Sequence, residues 1–367
     1  MDSSTWSWAA ASLFAVDNCL FTCALASCIL YLSLVLIPWW FFIVVFLYEG
    51  TTRKCCMAYH PFRFGVLVAD VETADEWIAK AQKIEFLGYD TFFVAEHVLT
   101  FPPIAGMVAA AGATTTLRIG SYVFANDFHH PLLLGREVAA IDALSNGRVV
   151  LGLGTGFYRP DYDQSGIRLD SPGIRVGRLE EAVQIIKGIF TIAPFSFTGK
   201  HYTVRDFSLA LKPLQQPHPP LLIGGASPRI LALAAREADI VGLNIRTTAD
   251  GGFDPSSILA EPTAQKVAWI QQAAGERWEK LELSILCIHV AVTEDRAGAA
   301  QQMVEGWPEA GFTTSQVRES PHMLIGSVDE IVADLQQRRE RYGISYVVIF
   351  EDKIDEFAPI VTRLTGT

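Results

Sequence analysis

Glu96 and His97 follow the apolar run Thr91–Ala95 (TFFVA), so two titratable side chains stand where a buried strand ends. Histidine changes charge near neutral pH, which suits general acid–base work. A hydrogen-bonded structural histidine is the plainer alternative. Gly152, Gly154 and Gly156 punctuate a second such exit, in LSNGRVVLGLGTG. Missing side chains there let something bulky approach the backbone, and a ligand across the strand end is the expectation. The spacing is G-x-G-x-G and leads into a loop, which argues against a dinucleotide fingerprint. A third exit, Gly224-Gly225-Ala226-Ser227-Pro228-Arg229, does open a helix. The Ser227 hydroxyl, Arg229 and the unpaired N–H groups of the first turn would cradle a phosphate, the alternative being a plain cap. His129-His130 lacks a third ligand, and Cys55-Cys56 lacks metal-ligand spacing, so no metal set emerges. Arg148 begins a strand, at the end remote from these exits, and reads as structural. Arg136, Glu137 and Asp142 read as a salt-bridged outer helix face.

These groups need a scaffold that gathers strand ends. Apolar runs fall at 62–68, 91–95, 117–123, 149–153, 221–225, 239–243, 283–292 and 345–350. Helical patterns separate them. Two of these helices open on capping boxes, Thr73 with Glu76 and Ser327 with Glu330. A small hairpin is expected around Gly199-Lys200, and residues 157–173 read as a long connection. Strand and helix alternate eight times without an internal linker, which favours an α/β fold, a (β/α)8 TIM barrel, over a doubly wound sheet. Its site would lie at the strand C-terminal ends.

The chain has 367 residues, half of them hydrophobic and 19% charged, enough for a large core. A net charge of −11 without a basic block excludes nucleic acid as the expected partner and leaves a small-molecule substrate. Only Cys287 lies outside the first 56 residues, so the body carries no disulfide framework. That first stretch is a hydrophobic extension. Asn18 to Tyr48 holds no charge, and 20–48 exceeds the length needed to span a bilayer. Arg53 and Lys54 after the run would keep the body cytoplasmic, tethered to the inner membrane face. The other reading is a mis-assigned start, with Met57 as the true one and a free cytoplasmic protein. The domain expected in either case runs from 60 to 367.

The motifs taken together resemble the luciferase-like monooxygenase superfamily over Phe62–Thr367. Ala95-Glu-His97, LRIGSYV, LSNGRVVLGLGTG, FTGKHYTV and PPLLIGGASPRILALAAREADIVGL carry the resemblance in order, and NDFHHP and SPHMLIGSVDEI resemble its coenzyme F420-dependent oxidoreductases. The resemblance implies a barrel binding F420, or alternatively FMN, at its mouth. It places His97 beside the reactive ring carbon and a non-prolyl cis bond at Tyr122–Val123 under the ring. Gly154, Thr155, Gly156, Ala226 and Ser227 match cofactor-binding backbone, and Arg229 of the phosphate cradle completes the expected cofactor set. Hydride transfer to or from a small organic substrate follows, with Glu96 and His97 as the catalytic candidates. The alternatives are an O2-using FMN monooxygenase served by a separate flavin reductase, and a flavin-binding barrel without turnover. Homodimers are frequent among such proteins. One departure is Phe157, where the sugar-phosphate dehydrogenases of the family keep an acid. It points to an apolar or unsaturated substrate.

Overall fold

A computed structural model describes residues 60–69, 73–248 and 252–367. The hydrophobic extension, with the 20–48 span and the Met57 start, lies outside the described residues. Among the described residues no helix is long and apolar enough to cross a membrane.

Eight strands close a barrel: β1 (Arg63–Val68), β2 (Thr91–Val94), β3 (Arg118–Ser121), β4 (Val149–Gly154), β5 (Leu221–Gly225), β6 (Ile240–Leu243), β7 (Glu282–Leu286) and β8 (Ile344–Phe350). Every neighbouring pair is parallel. The ring runs β3–β2–β1–β8–β7–β6–β5–β4 and returns to β3 through Ile119 opposite Val149 and Gly120 opposite Val150. The helices after these strands are α1 (Ala74–Phe86), α2 (Pro103–Ala113), α3 (Pro131–Leu144), α4 (Pro172–Thr191), α5 (Pro228–Glu237), α6 (Ala260–Ala274), α7 (Val328–Tyr342) and α8 (Ile354–Leu364). Both capping boxes form, at Thr73 and Ser327. The apolar stripe of each helix covers the outer face of the strands. α1, for example, buries Trp77, Ala81 and Ile84. The barrel interior is a packed core and not a pore. Phe93 sits in it with ring centroids 5.2 Å from Tyr122 and 5.8 Å from Tyr346.

Three sequence expectations are corrected. The seventh run does not continue to Val292. Cys287 N–H still bonds Val348 O of β8 at 2.8 Å, but Ile288 N–H bonds His322 O at 2.9 Å. The chain thus steps off the barrel, and His289–Val292 pairs with Met323–Gly326 outside it. Residues 157–173 are not a bare connection, because Arg159–Ser165 forms a short helix ended by left-handed Gly166 (φ 72°). Asp142 is not on an outer face. It is fully buried and accepts both the backbone N–H (2.9 Å) and the side-chain amide (2.7 Å) of Gln215.

Candidate active site

The exits of β2, β3, β4 and β5 meet at one end of the barrel. β2 ends in a tight turn whose Thr100 hydroxyl accepts the His97 N–H at 3.0 Å. His97 Nδ1 then lies 2.7 Å from Asp161 Oδ2, while Asp161 Oδ1 accepts Val98 N–H at 3.0 Å. The Asp161 side chain is 6% exposed and that of His97 34%. One nitrogen of the imidazole is therefore held by a buried carboxylate. The other, Nε2, has no hydrogen-bond partner among the described residues. The rings of Tyr158 and Phe157 meet the imidazole edge-on, at 5.2 and 6.2 Å.

Glu96 and His97 are not partners. Glu96 Oε2 accepts Ala125 N–H at 2.6 Å, and Oε1 lies 2.8 Å from His129 Nε2. Glu96 braces the segment after β3, and His129 belongs to that brace. Successive residues at a strand end face opposite ways, which separates the two side chains.

β3 stops at Ser121, the Tyr122–Val123 peptide is cis, and pairing with β4 resumes at Phe124 and Ala125. The Ser121 hydroxyl donates to Gly152 O at 2.8 Å and accepts Gly152 N–H at 3.1 Å, fixing the two strands where the bend begins. This approach explains the first glycine exit. A Cβ on Gly152 would stand 1.9 Å from Ser121 O, and one on Gly154 would stand 2.6 Å from Val123 Cγ2. The neighbouring chain thus occupies the Cβ positions of Gly152 and Gly154. Gly156 has φ 72° and faces the Tyr162 hydroxyl, and its carbonyl accepts from Arg175.

The short helix Arg159–Ser165 carries Asp161 to His97 and Tyr162 to Asp127. Tyr162 Oη donates to Asp127 Oδ2 at 3.1 Å, and Arg178 Nε lies 3.4 Å from Asp127 Oδ1. Burial raises the Asp127 pKa and the Arg178 guanidinium opposes that rise. Tyr162 is also raised, by burial first and then by Asp127. Asp161 is the residue that sequence reasoning missed. Pro160 near a helix start and Gly166 just past its end were the available signal.

At the β5 exit, Ser227 caps α5 with its backbone only; its hydroxyl makes no capping bond and the residue is exposed. Ala226 beside it is half-buried. Arg229 turns away toward α4, donating to Gly173 O at 2.9 Å and to Glu180 Oε2 at 2.8 Å. Across the mouth, Lys266 is buried and holds the loop after β6 through Asn244 O (2.7 Å) and Ser257 O (2.8 Å). Burial lowers its pKa to about 8. That loop presents half-exposed Phe253, whose ring lies 5.8 Å from that of Phe157.

This barrel has known counterparts. A family model described as luciferase-like monooxygenase matches residues 57–343. An FMNH2-dependent dimethylsulfone monooxygenase of Pseudomonas putida is 31% identical over 131 residues, 36% of each chain. An F420-dependent glucose-6-phosphate dehydrogenase of Amycolatopsis mediterranei (strain U-32) is 29% identical over 168 residues, 43% of this chain and 50% of that one. The chain thus spans half or less of the length of these curated relatives. The coenzyme F420-dependent tetrahydromethanopterin reductase from Methanopyrus kandleri superposes with a TM-score of 0.66 at 16% identity, covering 83% of this chain and all of that one, which speaks for the fold alone. With most of its length matched by that model and its strands closed into this barrel, the chain belongs to the luciferase-like monooxygenase family.

Proposed function

We propose that the protein is an oxidoreductase that transfers a hydride between coenzyme F420 and a small organic substrate with an apolar body. The observation that carries this reading is His97, held at Nδ1 and free at Nε2 at the exit of β2, the strand paired with the one that runs into the cis Tyr122–Val123 bond. Hydride chemistry leaves a proton to be moved, and an imidazole at a strand exit is suited to moving it. When bound, the deazaflavin supplies the hydride acceptor or donor, which no side chain can replace. The donor set at the β5 exit fits the coenzyme's phosphate: a free Ser227 hydroxyl and the first N–H groups of α5. The Arg229–Glu180 pair is exposed and contributes under about 1 kcal/mol, so the guanidinium can turn to an anion at little cost. The protein's own part is to bind, to exclude water and to exchange one proton at His97 Nε2. Phe157, Tyr158 and Phe253 line the approach with apolar surface, which favours an apolar substrate body over a sugar phosphate.

Titrating the protein with oxidised and reduced F420 tests the reading: micromolar binding with a shifted coenzyme spectrum is expected, and no binding overturns it. His97→Ala should keep that binding and lower kcat roughly 10²- to 10⁴-fold. A second reading, an FMN-dependent monooxygenase fed by a separate flavin reductase, is favoured by the dimethylsulfone monooxygenase likeness. Oxygen uptake with reduced FMN, and no binding of F420, would select it.

A further inference from the structure

We propose that Asp161 is the positioning residue of this site: it fixes His97 as the tautomer protonated on Nδ1, so that Nε2 meets the substrate as a proton acceptor. The inference rests on the reading of His97 as the proton-exchanging group.

Both oxygens of Asp161 are committed, Oδ2 to His97 Nδ1 at 2.7 Å and Oδ1 to Val98 N–H at 3.0 Å. An ionised carboxylate only accepts hydrogen bonds, so the ring nitrogen facing it must carry the proton. In a neutral imidazole the other nitrogen is then a bare acceptor. The carboxylate is itself held in place. Asp161 N–H bonds Tyr158 O at 3.1 Å, the neighbouring Tyr162 is buried, and Tyr162 Oη is tied to Asp127. Tyr158 and Phe157 pack edge-on against the imidazole and restrict its rotation. A carboxylate that orients a histidine and stabilises its protonated form without itself taking the proton is an established division of labour in catalysis. Here the two residues come from different strand exits, β2 and β4, and meet through this bond and the Val98 contact. The arrangement suits substrates that give up a hydroxyl or amine proton as they react.

The test needs no coenzyme for its first part. In protein labelled with ¹⁵N-histidine, at a pH where the ring is neutral, long-range ¹⁵N–¹H spectra report which ring nitrogen is protonated. The signals that vanish in His97→Ala identify the residue. The wild-type ring is expected to carry its proton on Nδ1. In Asp161→Asn the amide can donate to Nδ1, and the proton should move to Nε2. Tyr162→Phe, which loosens the same helix but keeps the carboxylate, should leave the tautomer unchanged. In turnover, Asp161→Asn should lower kcat at least about 100-fold with KM within about twofold, the pattern of an interaction felt in the transition state. Asp161→Glu should keep the tautomer and recover part of kcat; it stands in should the asparagine variant not fold, since a ring that lost the Nδ1 proton beside a glutamate would refute the idea. An unchanged tautomer in Asp161→Asn overturns the proposal, as does an unchanged kcat. A moved proton in a protein that turns over with neither F420 nor FMN would uphold the positioning and refute the proposed function.

Discussion

At the end where the strands begin, polar side chains are used to tie the barrel shut. Arg148 donates to Ser145 O, Leu117 O, Ala111 O, Thr114 O and the Thr114 hydroxyl at 2.6–3.1 Å. Glu85 accepts the backbone N–H groups of Thr115, Thr116 and Leu117 at the entrance to β3. Arg63 pairs with Glu282 at 2.7 Å across the starts of β1 and β7 and lies over the Tyr346 ring. At the end where the strands finish, comparable groups stop short. His97 is bonded on one nitrogen, Ser227 caps nothing with its hydroxyl, and Tyr158 and Phe253 are partly exposed to solvent. Polar groups fully bonded within the chain stabilise the fold; groups left with free valence are available to a ligand. The contrast predicts that changes at the first end cost stability and leave turnover per folded molecule alone, and that changes at the second do the reverse.

Arg148→Ala is expected to give the largest effect. It leaves several carbonyls without donors and removes a half-buried stem, costing about 3 kcal/mol or more. Urea unfolding would measure it. Coenzyme affinity of the folded fraction should not change, and a loss of affinity at unchanged stability would break the contrast.

Glu85→Gln comes next, with a pH signature. Three backbone N–H bonds outweigh burial and lower the Glu85 pKa from 4.5 to about 2. A carboxylate depressed in the folded state contributes stability above its unfolded pKa and loses it as pH falls through the folded value. The wild type should therefore lose stability between about pH 4.5 and pH 2 that the glutamine variant does not have to lose. Solvent screening of this partly exposed group limits the difference to about 1 kcal/mol. Unfolding midpoints across that range, with parallel curves for the two proteins, would remove Glu85 from the set that closes the barrel.

Of the first of these ends the sequence shows Arg148, structural from its place at a strand start, but not Glu85 or the Arg63–Glu282 pair, whose partners are distant in the chain. Two capping boxes and the alternation of apolar runs give the barrel, because these signals are local. What decided the rest was contact between residues distant in sequence. ILCIHVAV contains no turn residue, yet the strand breaks at Cys287 because His322, 35 residues later, offers its carbonyl to Ile288. Gly152 and Gly154 signal a close approach, and the group that meets their Cβ positions, Ser121 and Val123 at the end of β3, lies 31 residues earlier in the chain. Glu96 and His97 look like a pair because they are adjacent, whereas the partner of His97 lies 64 residues away, on a helix of seven residues.

The smallest effect on stability is expected at Phe253, and it sharpens the contrast most. Its ring is 50% exposed, touches Phe157 at 5.8 Å and sits on a loop anchored independently by Lys266. Truncation to alanine removes only half-buried packing at the rim, so the unfolding free energy should stay within about 0.5 kcal/mol. If the ring covers an apolar substrate, its removal weakens binding by about 1 kcal/mol, roughly a fivefold rise in KM. kcat should hold, because the His97–Asp161 pair is untouched and an interaction made equally with bound substrate and transition state does not enter kcat. An unchanged KM together with a stability loss above about 1 kcal/mol would place Phe253 with the scaffold, and the exposed aromatic surface of the mouth would then say nothing about the substrate.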